Sequence, residues 1–340
     1  MDTYSTTELQ EMVRIVQPQE QFLLSMFFAD ERTFDTETIS FDVKKTKRKL
    51  APFVSPCTAG KPNKREGFST EFFKPPYVKP KDMLKPTDSV KRVAGEAIGG
   101  SLSPQARIDQ ALGEILADHA SQVDSRLEWM AAQVLVTGAF TVTGEDVPEQ
   151  EINYGRAAGH TTASTNWDDV NTDIIADIEL KSGTVLDAVG VGVSDMIVDT
   201  ITWGYLRKNT GIKELLDIRH GGMEDLNLAP EVGAKTYLKG MLGNIRVWVY
   251  NDTYVDENDV AQKFIPDNSC ILIANGDKGL AGYQAFGAIQ DFDALAPMPI
   301  FTKMYKENDP SGMCVLSQSA GIVIASRIDA TLYIDTTPSV

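Results

Sequence analysis

Three histidines, His119, His160 and His220, and three cysteines, Cys57, Cys270 and Cys314, are the only imidazoles and thiols in the 340 residues. They are scattered, and no H-E-x-x-H, C-x-x-C, G-x-S-x-G or G-x-x-x-x-G-K-[ST] pattern occurs, so metal-assisted hydrolysis, acyl transfer and phosphate-loop chemistry have no local signature. Gly190-Val-Gly192-Val-Ser-Asp195 comes nearest to a glycine-rich nucleotide turn, but Asp195 stands at the third glycine position and the run precedes a strand instead of following one, so it reads as a turn. The carboxylates Asp168, Asp169, Asp252, Asp256, Glu257 and Asp259 suggest calcium only loosely. Asp252 to Asn258 lacks the glycine and the terminal glutamate of a calcium loop, and a solvated hairpin is the expectation. His119 falls on an apolar helical stripe, as a hydrogen-bonded core or interface histidine would. His220, in Arg219-His220-Gly221-Gly222, suits a helix end. Cys57 has positive surroundings that could lower its pKa, against the plainer reading of a small loop residue. No catalytic residue, cofactor site or metal site is assigned, and an α/β enzyme stays an alternative whose mark would be a deep pocket with convergent polar groups within residues 156–295.

The strongest chemical signal is electrostatic. Residues 41–92 hold fourteen of the thirty-two Lys and Arg against five acidic residues, which makes this stretch +9 in a chain of formal charge −16 and leaves −25 on the remainder. Seven prolines within it remove backbone donors and favour extended neighbours, so it is expected to project as an arm or ribbon. Three readings compete: a nucleic-acid arm, a solvated tail and an intersubunit arm. The aromatics gather at the less charged end, unlike a base-stacking surface, and a solvated tail would lack them. An arm steered onto an acidic neighbour fits best, with Lys44, Lys45, Lys47, Arg48, Lys49, Lys61, Lys64, Arg65, Phe72, Phe73, Tyr77, Lys79 and Lys81 as the expected contacts. A pI near 4.7 opposes nucleic-acid binding by the body of the chain, so only the arm could bind phosphate.

Several elements must position that arm. The length exceeds what one core usually supports, so two compact units plus extensions are expected. Ser5-Thr-Thr-Glu8 is a capping box opening a helix that ends before Pro18, and Phe22, Leu23, Met26 and Phe27 recur at helical spacing. Alternation from Thr36 to Val43 predicts a strand that returns around Phe72 to Val78. Ser103-Pro104 starts a helix whose stripe of Ile108, Leu112, Ile115, Leu116, His119, Val123, Leu127, Met130 and Val134 runs to Gly138, about 50 Å at 1.5 Å per residue. Ala139 to Thr143 reads as a strand turning at Gly144-Glu145-Asp146. Helical turns are expected at Ile174–Ile178, Trp203–Leu206 and Ile212–Ile218, and strands at Met196–Val198, Ile245–Tyr250 and Cys270–Ala274. The tail alternates through Met313–Gln318, Gly321–Ser326 and Ala330–Ile334, and is expected beside the long helix. Three separated cysteines favour free thiols and synthesis in the cytoplasm. No long apolar run and no secretory start point to a membrane.

Taken together, PFVSPCTAGKPNKREGFSTEFFKPPYVKPK over Pro52–Lys81, VLVTGAFTVTGE ending at Glu145, and FIPDNSCILIANGDKGLAGYQAFGAIQD over Phe264–Asp291 resemble the capsid protein E family, the lambda-like major head proteins with the Hong Kong 97 type fold. The likeness covers nearly the whole chain and is poor over residues 146–172. It implies an α+β shell subunit without turnover: arm 1–35, extended basic loop 36–90, peripheral domain 91–155 with spine helix and sheet, axial domain 156–295, and a C-terminal return 296–340. It further implies hexamers and pentamers tiling an icosahedral head, a prohead that expands as double-stranded DNA is packaged without sequence-specific binding, assembly in the host cytoplasm, and location in the virion. A portal protein, a separate scaffolding protein, since the chain opens almost directly on the arm, and a decoration protein at threefold positions are the implied partners. Lys61 and Lys64 could serve the Lys-Asn crosslink of some relatives, although lambda-like heads use decoration instead.

Overall fold

The computed structural model describes residues 4–15, 21–36, 38–44, 56, 68–92, 102–144, 147–164, 166–218, 235–256, 258–276, 279–294, 297–309 and 311–337. Its arm begins with α1 (Thr6–Ile15), opened by the expected capping box: the Glu8 carboxylate accepts from the Ser5 amide at 2.8 Å while the Glu8 amide donates to Ser5 Oγ. Next come α2 (Phe22–Phe27) and β1 (Asp30–Thr33), then the hairpin of β2 (Ile39–Lys44) and β3 (Phe68–Phe73), and β4 (Lys81–Leu84). The long helix α3 spans Pro104–Thr137. Ser103 Oγ accepts from the Ala106 amide at its start, and Gly138 closes it at φ 76°, a left-handed conformation that glycine adopts without steric cost.

After α3 a hairpin of β5 (Ala139–Gly144) and β6 (Val147–Asn153) turns back, followed by β7 (Thr161–Ala163), α4 (Ile174–Val189), β8 (Asp195–Val198), α5 (Thr200–Lys208) and α6 (Thr210–Ile218). β9 (Thr236–Leu242) and β10 (Ile245–Tyr250) precede a small hairpin, β11 (Thr253–Val255) with β12 (Ala261–Lys263). The chain finishes through β13 (Ser269–Ile273), β14 (Gly282–Phe286), β15 (Phe301–Asn308), β16 (Ser311–Gln318), β17 (Gly321–Ala325) and β18 (Thr331–Asp335).

A mixed six-stranded sheet, ordered β7-β18-β13-β8-β10-β9, forms the centre of the C-terminal two thirds. β8 and β13 are buried at every position, which is why Met196–Val198 and Cys270–Ile273 read as unbroken apolar runs instead of alternating. Two three-stranded sheets flank it, β1-β14-β17 and β15-β16-β4. The tail therefore divides. β17 and β18 both pack on α3, but β18 is hydrogen-bonded between β13 and β7 in the six-stranded sheet. β1 carries no apolar residue in Asp-Glu-Arg-Thr, so alternation could not announce it; it is a strand because β14 pairs with it in parallel.

α3 runs through two hydrophobic cores. Its first half joins Leu9, Leu84 and Val315 through Ile108, Leu112 and Leu116. From Val123 onward it enters the larger core shared with the sheet, where Ala131, Ala132, Val134 and Leu135 are all buried while Arg126 stays exposed on the outer face. Two charges fix this half, Glu128 buried and Arg156 half-buried. The Glu128 carboxylate accepts from the amides of Leu23 at 2.9 Å and Leu24 at 3.0 Å and from the Tyr250 hydroxyl at 3.0 Å, so it caps α2 from another helix. Burial pushes the Glu128 carboxyl above its usual range, and the two amides and the hydroxyl offset only part of that.

At the other end the Arg156 guanidinium donates to the carbonyls of Val134, Leu135 and Val136 and to Thr331 Oγ1, at 2.7–2.8 Å. Burial lowers its pKa to about 10, which leaves it a cation at neutral pH against the negative end of the helix dipole. Gly138 is required there twice over, because a Cβ would stand 2.9 Å from Arg156 Cβ. Replacing Glu128 with Ala leaves three buried donors without an acceptor and is expected to cost about 2–4 kcal/mol in urea unfolding, with Gln less costly because one oxygen survives. Equal stability of Glu128→Ala and the parent chain would contradict the capping role.

Candidate functional site

The residues expected to make contacts divide between the root of the ribbon and its span. Lys44 pairs with Phe68 at the end of the β2–β3 register. Lys45, Lys47, Arg48, Lys49, Lys61, Lys64 and Arg65, together with Cys57 and the Pro52–Gly67 part of the first resembling block save Pro56, lie outside the described residues, as does His220.

The root is built by alternation. Ile39 and Phe41 turn inward, and Phe41 stacks on Phe73 at 5.3 Å and meets the Tyr154 ring at a tilt, 5.5 Å between centroids. Ser40 and its partner Phe72 turn outward, and Phe72 stays 68% exposed. The return starts at Phe68, earlier than Phe72, because β3 must match all six residues of β2. Phe73 thus serves the chain's own core, and Tyr77 is held within the chain as well, donating to the Ala288 carbonyl at 3.0 Å and accepting from the Gln290 amide at 2.6 Å. Lys79 lies over the Tyr77 ring at 4.9 Å and Lys81 near the Tyr305 ring at 5.7 Å, both with their charge toward solvent. Among the expected contact residues that the structure describes, Phe72, Lys79 and Lys81 offer themselves to a partner.

The ribbon's return is clamped by His119. Its Nδ1 is 2.9 Å from Ser317 Oγ, its Nε2 is 3.1 Å from Asp82 Oδ2, and Ser317 Oγ is 2.9 Å from Thr302 Oγ1. A serine, a histidine and an aspartate in hydrogen-bonded series are the parts of a hydrolase relay. Ser317 is completely buried, so no substrate can approach its oxygen. The series instead joins β4, α3, β15 and β16. Asp82, outside the three-residue and four-residue periodicities that sequence reading uses, was the missed partner.

The other sequence candidates also have structural partners. His160 Nδ1 lies 3.0 Å from the Thr331 carbonyl. Gly190 ends α4 at φ 76°, and the fully buried Asp195 receives Arg246 Nε at 2.8 Å, Trp248 Nε1 at 3.0 Å and Ser194 Oγ at 2.7 Å, which leaves nothing for a nucleotide. Asp256 accepts from the amides of Asn258 and Val260, which hold it below the usual carboxylate range, and Asp252 pairs with Lys235. Cys270 and Cys314 are buried, which pushes both thiols up and away from reactivity. No group of three or more potential metal ligands lies among the described residues, and no described helix is long and apolar enough to cross a membrane.

A groove of about 660 Å³ lies between α4 and the β9–β10 turn. Its walls are Ile175, Ile178, Leu186, Val193, Leu242 and Ile245, with Glu179, Ser182 and Asn244 as the polar side chains. That is not a convergent set of acid, base and nucleophile.

One carboxyl on α3 makes a pH-dependent link to the arm. Asp124, half-buried, is raised to about 6, by burial first and then by the charge of Glu31 on β1. A raised acid stabilises the fold fully below its ordinary value near 3.8, and that contribution is lost as pH rises through about 6. Asp124→Asn is therefore expected to flatten the fall in urea midpoint between about pH 4 and 7 relative to the parent chain. Parallel pH profiles for the two proteins would contradict this.

The model of the family described as phage major capsid protein E matches residues 5–335. Major capsid proteins of Escherichia phage lambda and phage N15 are each 28% identical over 341 residues, 97% of this chain and 98% of theirs. Among solved structures, one described as a prophage capsid protein of E. coli CFT073 superposes with a TM-score of 0.74 at 21% identity, covering 98% of this chain and 99% of that one. A phage-related protein of Bordetella bronchiseptica superposes at 0.54 with 11% identity over the full length of both. These two likenesses are of fold.

Proposed function

This chain belongs to the phage major capsid protein E family, and from that premise we propose that it self-assembles as hexamers and pentamers into the icosahedral shell of a phage head, first as a prohead and then as an expanded, DNA-filled capsid. The observation that carries the reading is the charge partition along the chain: residues 41–92 carry +9 and the remainder −25, with Lys44 paired to Phe68 where the ribbon begins and ends. Within one chain Lys44 and Phe68 close the ribbon at its root, and the complement to its charge is plentiful on any neighbouring copy.

On this reading residues 1–35 are the arm, 36–90 the extended loop, 91–155 with 296–340 the peripheral domain and 156–295 the axial domain, with β18 serving as a strand of the axial sheet. A scaffolding protein guides assembly, a portal occupies one vertex, a decoration protein binds at threefold positions, and synthesis takes place in the host cytoplasm. Shell building needs no turnover. Net acidity of the wall lets packaged DNA slide without adhering.

A chain in which Lys44, Lys45, Lys47, Arg48 and Lys49 are all replaced by Gln, co-expressed with its scaffolding protein, is expected to yield few or no particles in sedimentation and electron microscopy while its unfolding midpoint stays close to the parent's. Normal particle yield together with loss of tight, strongly salt-dependent duplex DNA binding would instead favour a nucleic-acid-binding arm.

A further inference from the structure

Phe292 is the most exposed large hydrophobic among the described residues, at 104% of its reference area, so it makes essentially no contact within its own chain. A lone exposed ring on a loose loop would mean little. This one is presented by a turn whose leading residues, Ala288 to Asp291, are tied down. The Asp291 carboxylate receives Lys303 Nζ, Gln318 Nε2 at 2.9 Å and the Asp293 amide at 3.1 Å, and the Asp291 carbonyl receives the Ala294 amide at 3.1 Å. Burial works to raise the Asp291 carboxyl, but Lys303, the Asp293 amide and Gln318 together hold it below its usual range. Just before it the Tyr77 hydroxyl grips Ala288 and Gln290. The turn is thus bound to β15 and β16 and to the stretch after the ribbon hairpin, with the aromatic pointing out.

We propose that Phe292 is a preorganised aromatic anchor that inserts into a second copy of this chain. A rigid ring loses little entropy on docking, which is how a few residues come to dominate an interface. Two observations and one symmetry argument choose a second copy as the occupant. The turn shares Tyr77 with the root of the ribbon, so the anchor is continuous with the surface assigned above to a neighbouring subunit. Exposed Asp293 beside the ring suits a positively charged partner, and the +9 segment of another copy is one. A contact between two different patches of identical chains is heterologous, and it closes a ring when the rotation between neighbours closes, the geometry that capsomers need. The inference rests on the shell reading and adds a residue to it.

The test has two arms, both on the full chain with its scaffolding protein. Phe292→Ala is expected to leave the unfolding midpoint of the unassembled protein unchanged and to raise the concentration needed for assembly roughly tenfold or more, with Phe292→Tyr close to the parent. A photo-crosslinking benzophenone amino acid placed at position 292 is expected to give covalent dimers of this chain in assembled particles and none in the unassembled protein. Unchanged assembly of Phe292→Ala, a crosslink only to a different particle protein, or no crosslink in particles would each overturn the anchor while leaving the shell reading intact. Failure of the parent chain itself to form particles would overturn the shell reading on which the anchor depends.

Discussion

A single helix passing through two cores must satisfy its polar groups without water, and the rest of the molecule is arranged around how α3 does so. His119, Glu128 and the last carbonyls of the helix each meet a segment far away in sequence: Asp82 and Ser317, then the amides of Leu23 and Leu24 with Tyr250, then Arg156 and Thr331. Each is a buried group whose desolvation is tolerable only while its partners stay in place. Through them α3 holds the ribbon's return, the N-terminal arm and the end of the six-stranded sheet in fixed relation. Hydrophobic contact alone would allow these segments to slide, whereas hydrogen bonds to buried charge specify position.

That arrangement explains what was legible in the sequence and what was not. The ends of α3 were legible because Ser103, Pro104 and Gly138 act locally, through a cap, a fixed φ and a left-handed turn. The capping box at Ser5 and Glu8, the apolar stripe from Ile108 to Val134, and the buried runs of β8 and β13 were legible for the same reason. Glu128 was invisible among many carboxylates, because its partners are main-chain amides more than a hundred residues away. β1 was invisible because its pairing is imposed by β14, and the place of β18 could not be read because strand order depends on which neighbour is free to pair. Phe73 and Phe72 are adjacent and chemically identical, and only the pleat, fixed by pairing to Ile39 and Ser40, decides that one is core and the other surface.

The same division separates the two kinds of aromatic and charge in the chain. Groups that the fold uses are buried and paired, including the Ser-His-Asp series that resembles a catalytic relay and works as a clamp. Groups that the fold leaves over, Phe72, Phe292, Lys79 and Lys81, lie around the ribbon's root and the turn bound to it, on a body whose net charge is opposite to that of the ribbon. Membership of a family of capsid proteins gives that surplus a reason, since such a surface is completed by other copies.

The most direct measurement is a cryo-electron microscopy reconstruction of particles formed by the unaltered chain with its scaffolding protein. The expected result is a closed icosahedral shell in which the 45–67 span lies across a neighbouring subunit's acidic surface and α3 keeps its bonds to Asp82, Leu23, Leu24 and Arg156. Persistent monomers under assembly conditions, or a shell in which that span folds back onto its own chain, would contradict the account.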